Sequence, residues 1–189
     1  MKKWLKILLV ADAFMYLAAG MFEPIYAIFV EKIGGDILTA SGAWAAFTFT
    51  SGFLIWLFGK WEDRVKHLEK MIFLGYALRS CAFLGYFFVA NKFHLFAVQI
   101  LLGIGLATSL PAYDALYSKL LSKGRFASEW GAWEGVYMMV SAAAAITGGA
   151  IANFFGFKAL FLVMFASSLV GLFASTSLFS KGFRKSVKF

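Results

Sequence analysis

Six long apolar runs, each closed by a short polar break, set the pattern of the chain; they cover residues 6–30, 37–59, 71–90, 93–118, 129–153 and 157–180. The breaks are Lys32-Ile33-Gly34-Gly35-Asp36, the stretch from Lys60 to Lys70, Asn91-Lys92, Ser122-Lys123-Gly124-Arg125 and Gly156-Phe157-Lys158. As an α-helix, each run crosses about 30 Å of hydrocarbon with room for tilt. The pattern therefore predicts an all-α integral membrane protein of six transmembrane helices. Every loop is short, so successive helices are expected to be antiparallel neighbours. The first run is about twice as long as a signal-peptide core and has no small-residue cleavage site behind it, so it reads as a permanent helix. Pro24 removes a backbone hydrogen bond inside that run and predicts a kink.

Composition narrows the function classes. Of 189 residues, 61% are hydrophobic and 15% charged, against about 45–50% and about 25% in soluble domains. A water-facing globule is excluded, and so is a disordered chain, because 19% aromatics cannot stay solvated. The loops leave no room for an extramembrane catalytic domain. Cys81 stands alone in an apolar run, which excludes an internal disulfide. His67 and His94 fall in loops, and no Cys/His group has metal-ligand spacing, so neither metal nor other cofactor is expected.

The net charge of +8 is explained by topology rather than by nucleic acid. The N-terminus, every second loop and the C-terminal tail carry Lys2, Lys3, Lys6, Lys60, Arg64, Lys66, Lys70, Lys119, Lys123, Arg125, Lys181, Arg184, Lys185 and Lys188. The opposite side carries only Lys32, Lys92 and Lys158. The positive-inside rule then places both termini in the cytoplasm, in the cell (inner) membrane, and an even number of crossings agrees.

Five ionisable residues lie inside the runs: Asp12, Glu23, Arg79, Asp114 and Glu134. Such groups are costly in hydrocarbon and face a cavity or one another. Counted at about 1.5 Å per residue from the cytoplasmic boundary, Asp12 lies roughly 10 Å deep, Arg79 about 13 Å, Asp114 about 7 Å and Glu134 about 9 Å. Four charges from four helices thus share one slab. Three acids facing one arginine suit proton coupling or a cationic ligand. On the first helix Asp12, Tyr16, Ala19 and Glu23 form a stripe at helical spacing; on the fifth, Trp130, Glu134, Tyr137 and Ser141 do the same, with Trp133 beside them. With Gln99 and Tyr113 on the fourth helix, these acids and aromatics offer a small polar solute stacking faces and orienting acceptors. Glycines at 103, 105, 131, 135, 148 and 149 mark expected close helix contacts.

Further motifs accompany this topology. The loop Gly59-Lys60-Trp61-Glu62-Asp63-Arg64-Val65-Lys66 follows the second run, Gln99-Ile-Leu-Leu-Gly103-Ile-Gly105 with Pro111-Ala112 lies on the fourth, and Gly148-Gly149 ends the fifth before Gly156-Phe157-Lys158-Ala159-Leu160-Phe161. Together they resemble one half of a major facilitator superfamily transporter. The loop keeps that family's glycine, aspartate and arginine but has Lys66 at its second glycine. Gln99 stands where the family has arginine, and Ala144-Ala145 where its antiporters have glycine-proline.

The resemblance implies one six-helix transmembrane domain, an inverted three-plus-three repeat divided at residues 1–92 and 93–189, that is one half of the major facilitator fold. The chain stops where a linker to a second half would begin, so the partner expected is a second copy in a homodimer. Asp63 would then meet the N-terminal end of the partner's fifth helix, with Gly59 and Arg64 completing the gating loop.

The function expected is secondary transport of a small organic solute, sugar-like, by alternating access. Asp12, Arg79, Glu134 and Asp114 are the proton-coupling candidates. Tyr16, Glu23, Gln99, Tyr113, Trp133, Glu134 and Tyr137 would line the solute site. Export of lipophilic cations and a non-transporting partner subunit are the alternatives. Enzymatic activity is not expected: no HExxH, GxSxG or GxGD occurs, and neither histidine lies deep in a span.

Overall fold

The computed structural model describes residues 2–62 and 64–186, with side chains at 2–59 and 64–183. The described residues form helices and no strand. Helix α1 (Lys3–Gly20) passes through a 3-10 turn at Glu23–Ile25 into α2 (Tyr26–Lys32), and α3 (Ile37–Glu62), α4 (Leu68–Phe87) and α5 (Lys92–Leu120) follow. The long α6 (Phe126–Thr176) and the short α7 (Lys181–Ser186) complete the chain. Four stretches, Lys3–Lys32, Ile37–Gly59, Lys92–Leu120 and Phe126–Phe179, are long and apolar enough to cross a membrane. Helix α4, which carries Glu69, Lys70 and Arg79, is not among them.

Local chemistry accounts for where the helices stop. Pro24 cannot donate to the helical ladder, so the first crossing breaks around it, and Phe22 and Ile25 instead donate at 3.0 Å to the carbonyls of Ala19 and Phe22 three residues back. Asp36 caps α3, accepting at 2.7 Å from both the amide and the hydroxyl of Thr39, bonds that hold its carboxyl below the ordinary carboxylate range. Asn91 caps α5 by accepting from the His94 amide at 3.1 Å, so His94, expected in a loop, lies in the first turn of that helix. The turn between α5 and α6 is locked by Glu129, whose carboxylate accepts from the Ser122 amide at 2.8 Å and its hydroxyl at 3.1 Å, while the Tyr117 hydroxyl donates to the Glu129 carbonyl at 2.5 Å.

The fifth and sixth apolar runs join with no loop between them. A straight helix of 51 residues would reach about 77 Å, far beyond a bilayer core. Gly156 interrupts it with φ 82° and ψ 168°, a conformation open only to glycine, and divides α6 into limbs 126–155 and 157–176. The break expected at Gly156-Phe157-Lys158 thus shrinks to a single residue.

Helix α1 lies along α6, and α5 lies between α3 and α4, which also meets α6. Several of these contacts depend on glycine. A Cβ added to Gly148 would overlap the Met21 backbone, one on Gly171 would stand 2.6 Å from the Ala11 carbonyl, and one on Gly75 2.6 Å from that of Gly105. Of the glycines expected at helix contacts, Gly103, Gly105 and Gly148 make them within one chain; Gly131, Gly135 and Gly149 have nothing within 4 Å of a would-be Cβ. Toward one end the core is aromatic, with ring centroids of Phe22 and Tyr86 4.8 Å apart, Tyr86 and Phe161 5.3 Å, and Phe29 and Phe161 5.0 Å. The outer faces carry Phe49, Trp56, Ile146, Phe154 and Phe173, all exposed. In water such a surface would aggregate; in lipid it is the solvated side.

Candidate functional site

Two features built from intramembrane polar residues lie side by side. The first is centred on Asp12, which is 6% exposed. Its Oδ1 accepts from the Tyr76 hydroxyl at 2.8 Å and its Oδ2 from the Trp133 indole Nε1 at 3.1 Å. A buried carboxylate held by two donors from α4 and α6 is satisfied without a formal ion pair. Asp12 is thus enclosed within a single copy of the chain. Around it stand Tyr113, stacked on Tyr117 at 5.8 Å and 6.4 Å from Trp133, and Tyr137, stacked on Trp133 at 6.2 Å. The Tyr113 hydroxyl is buried and has no hydrogen-bond partner among the described residues.

The second feature is a cavity of about 210 Å³ bounded by α1, α3, α4 and α5, with the 157–176 limb of α6 contributing Met164. Tyr16, Ala19 and Glu23, at helical spacing, form one wall; Arg79 and Gln99 supply polar groups from α4 and α5; Phe22, Trp44, Phe47, Phe83 and Tyr86 supply the aromatic surface. Arg79 is 6% and Gln99 2% exposed. No carboxylate oxygen lies within 4.0 Å of the Arg79 guanidinium among the described residues, and its visible partner is the Tyr16 ring, with Cζ 6.0 Å from the centroid. Glu23 retains more exposure than either.

Tyr16 joins the two features. Its ring meets Tyr137 at 4.4 Å and Trp133 at 6.3 Å on the Asp12 side and faces Arg79 on the cavity side. Of the expected site residues, the structure brings Asp12, Tyr16, Tyr113, Trp133 and Tyr137 into one cluster and Tyr16, Glu23, Arg79 and Gln99 into the cavity wall. Asp114 is half-buried outside that wall. Glu134 lies on the exposed face of α6, between Gly131 and Gly135 in sequence. In the loop motif Gly59 faces open space, Arg64 is exposed, and Asp63 lies outside the described residues.

Sequence reasoning missed Tyr76, Trp44, Phe47, Phe83 and Tyr86. Tyr76 precedes Arg79 by one helical turn, a spacing that would have placed both on one face of α4. Trp44 and Phe47 carry the same one-turn signal in α3, hidden by a helix apolar on every side.

No curated relative matches the chain. Helices long and apolar enough to span a bilayer, polar residues gathered between them, and a length fitting a half-size member agree with the family comparison: the chain matches the Major Facilitator Superfamily model over residues 8–187 and belongs to that superfamily of membrane transporters.

Proposed function

We propose that the protein is a proton-coupled secondary transporter of a small, hydroxylated, sugar-like solute, working by alternating access as a homodimer in the cell (inner) membrane with both termini cytoplasmic. Residues 1–92 and 93–189 would be the two three-helix repeats of one half. The observation that carries the reading is the shared Tyr16 wall between the buried Asp12 carboxylate and an aromatic-lined cavity that holds Glu23, Arg79 and Gln99. An ionised Asp12 accepts from Tyr76 and Trp133 together. After protonation one carboxyl oxygen becomes a donor. Trp133 can only donate, so the proton belongs on the Tyr76 side, where the hydroxyl must turn to accept and release its own hydrogen. Trp133, still donating to the other oxygen, meets the Tyr16 ring at 6.3 Å, so a change at the carboxyl reaches the cavity wall through that pair. Protonation is thereby linked to the shape of the cavity.

The second copy is supported by Glu134, an acidic group on a membrane-facing surface beside Gly131 and Gly135, which have nothing packed on them. A carboxylate in that position needs shelter from acyl chains, and an unoccupied pair of glycines offers a close helix approach. The cavity of about 210 Å³ falls below the range of about 300–1,000 Å³ typical for drug-sized ligands, which favours a small solute over export of lipophilic cations. By resemblance, Asp63 would reach the start of the partner copy's α6. Reconstitution of this chain alone into liposomes, with a proton gradient and labelled sugars, tests the reading. Gradient-driven accumulation is the expected result; a non-transporting partner subunit gives none.

A further inference from the structure

We infer that the solute carries a carboxylate that docks on Arg79, so that the cavity takes a sugar acid rather than a neutral sugar. This rests on the transport reading above and sharpens its substrate class.

The Arg79 guanidinium is more than nine-tenths buried, opens on the cavity, and has no hydrogen bond or ion pair among the described residues. Asp12 and Glu23 attract it from beyond ion-pair distance, but a buried charge with no direct partner is one of the costliest arrangements in a protein interior. The Tyr16 ring, 6.0 Å away, offers a face rather than a counter-ion. Asp12 already spends both oxygens on Tyr76 and Trp133 and does not line the cavity. Glu23 lines it as well, but its carboxylate stands more than 4.0 Å from the guanidinium. The group left to be satisfied is therefore the fork of Arg79, whose planar donors match a carboxylate two to two.

The charge balance selects among anions. Arg79 is the one cation among the lining residues, and Glu23 adds a negative charge nearby. A phosphate monoester, at about −1.5 to −2 near neutral pH, would overload a single guanidinium beside a carboxylate, whereas a monoanionic carboxylate adds one negative charge and meets the guanidinium directly. Gln99, 2% exposed, lines the cavity beside Tyr26, and its amide carries both donors and an acceptor. Glu23 accepts from hydroxyls. Trp44, Phe47 and Phe83 give the apolar C–H face of a ring a surface to lie on.

The test is isothermal titration calorimetry on the purified full chain in detergent, with D-glucuronate and D-glucose as probes; they share a ring and differ at one carboxylate. Glucuronate is expected to bind about ten- to a hundredfold tighter, the range of a charge-assisted hydrogen-bond pair. Arg79→Gln should erase the difference, Arg79→Lys should weaken glucuronate binding while keeping part of the preference, and Glu23→Gln should preserve or widen it. Equal binding of the two probes, binding of neither, or a preference surviving Arg79→Gln overturns the inference. If Arg79→Gln does not fold, the lysine variant decides, and undiminished glucuronate affinity there overturns it. Equilibrium binding needs neither a proton gradient nor transport, so this result stands apart from the liposome experiment.

Discussion

Replacing Asp12 separates its role in the fold from its role in coupling. An asparagine is the same size, and its carbonyl can keep accepting from Trp133 while its amide donates to the Tyr76 hydroxyl, which rotates to suit. Both bonds, 3.1 and 2.8 Å in the native chain, survive as neutral ones. Exchanging two charge-assisted bonds for two neutral ones costs about 1–3 kcal/mol in all, and removal of a buried charge offsets part of it. Asp12→Ala deletes both acceptors and strands the buried Tyr76 hydroxyl at about 1–3 kcal/mol and the half-buried Trp133 indole at less. Asp12→Asn should therefore unfold only slightly more readily than wild type in detergent, and Asp12→Ala clearly more so. In liposomes the asparagine variant, which cannot exchange a proton, should lose accumulation driven by a pH gradient while retaining solute counterflow. Two results would refute this reasoning. Undiminished accumulation in Asp12→Asn removes the residue from coupling, and equal stability of the two variants means the Tyr76 and Trp133 bonds do not hold the site.

Three other outcomes follow from the geometry. Gly148→Leu should destabilise the fold by about 1–3 kcal/mol or more, as overpacking does, because even its Cβ overlaps the Met21 backbone, whereas Gly131→Ala, facing open space, should leave thermal unfolding in detergent unchanged. With the exposed Cys81 replaced by serine, a Gly135→Cys variant should be linked into dimers in the membrane by a bis-maleimide, and a purely monomeric product counts against the homodimer. Asp36 has its carboxyl lowered below 3.8, so its cap is intact above that value and is lost as pH falls through the lower folded one. Hydrogen exchange at the Thr39 amide should accelerate there, and Asp36→Asn should abolish the pH dependence.

The membrane class, the helical segments and the break at Pro24 were legible because each depends on local sequence: apolar length, short polar interruptions, and a residue without an amide hydrogen. Spacing along α1 also placed Tyr16, Ala19 and Glu23 on one wall. What spacing and depth cannot supply is the rotation of each helix against its neighbours. Asp12 and Glu134 sit at similar estimated depths on stripes of the same period, yet one is enclosed by Tyr76 and Trp133 while the other faces outward. Trp44 and Phe47 were invisible for a related reason. A helix apolar all round has no face that hydrophobicity alone can mark as inner, and the contact of α5 with α3, through Gly103 close to the Phe47 carbonyl, decides it.

The single-residue turn at Gly156 leaves no slack between the two limbs of α6. A tilt of limb 126–155 must be passed to limb 157–176 as through a crank. The second limb grips α1 through Gly171 against Ala11 and the Ser167 hydroxyl, which donates to the Phe14 carbonyl at 3.2 Å. Trp133 rides on the first limb and Tyr16 on α1, so both ends of that linkage terminate at the carboxylate pocket. Lengthening the joint with an inserted glycine would turn a stiff coupling into a loose hinge, and gradient-driven uptake should uncouple even though every residue of the cavity is intact.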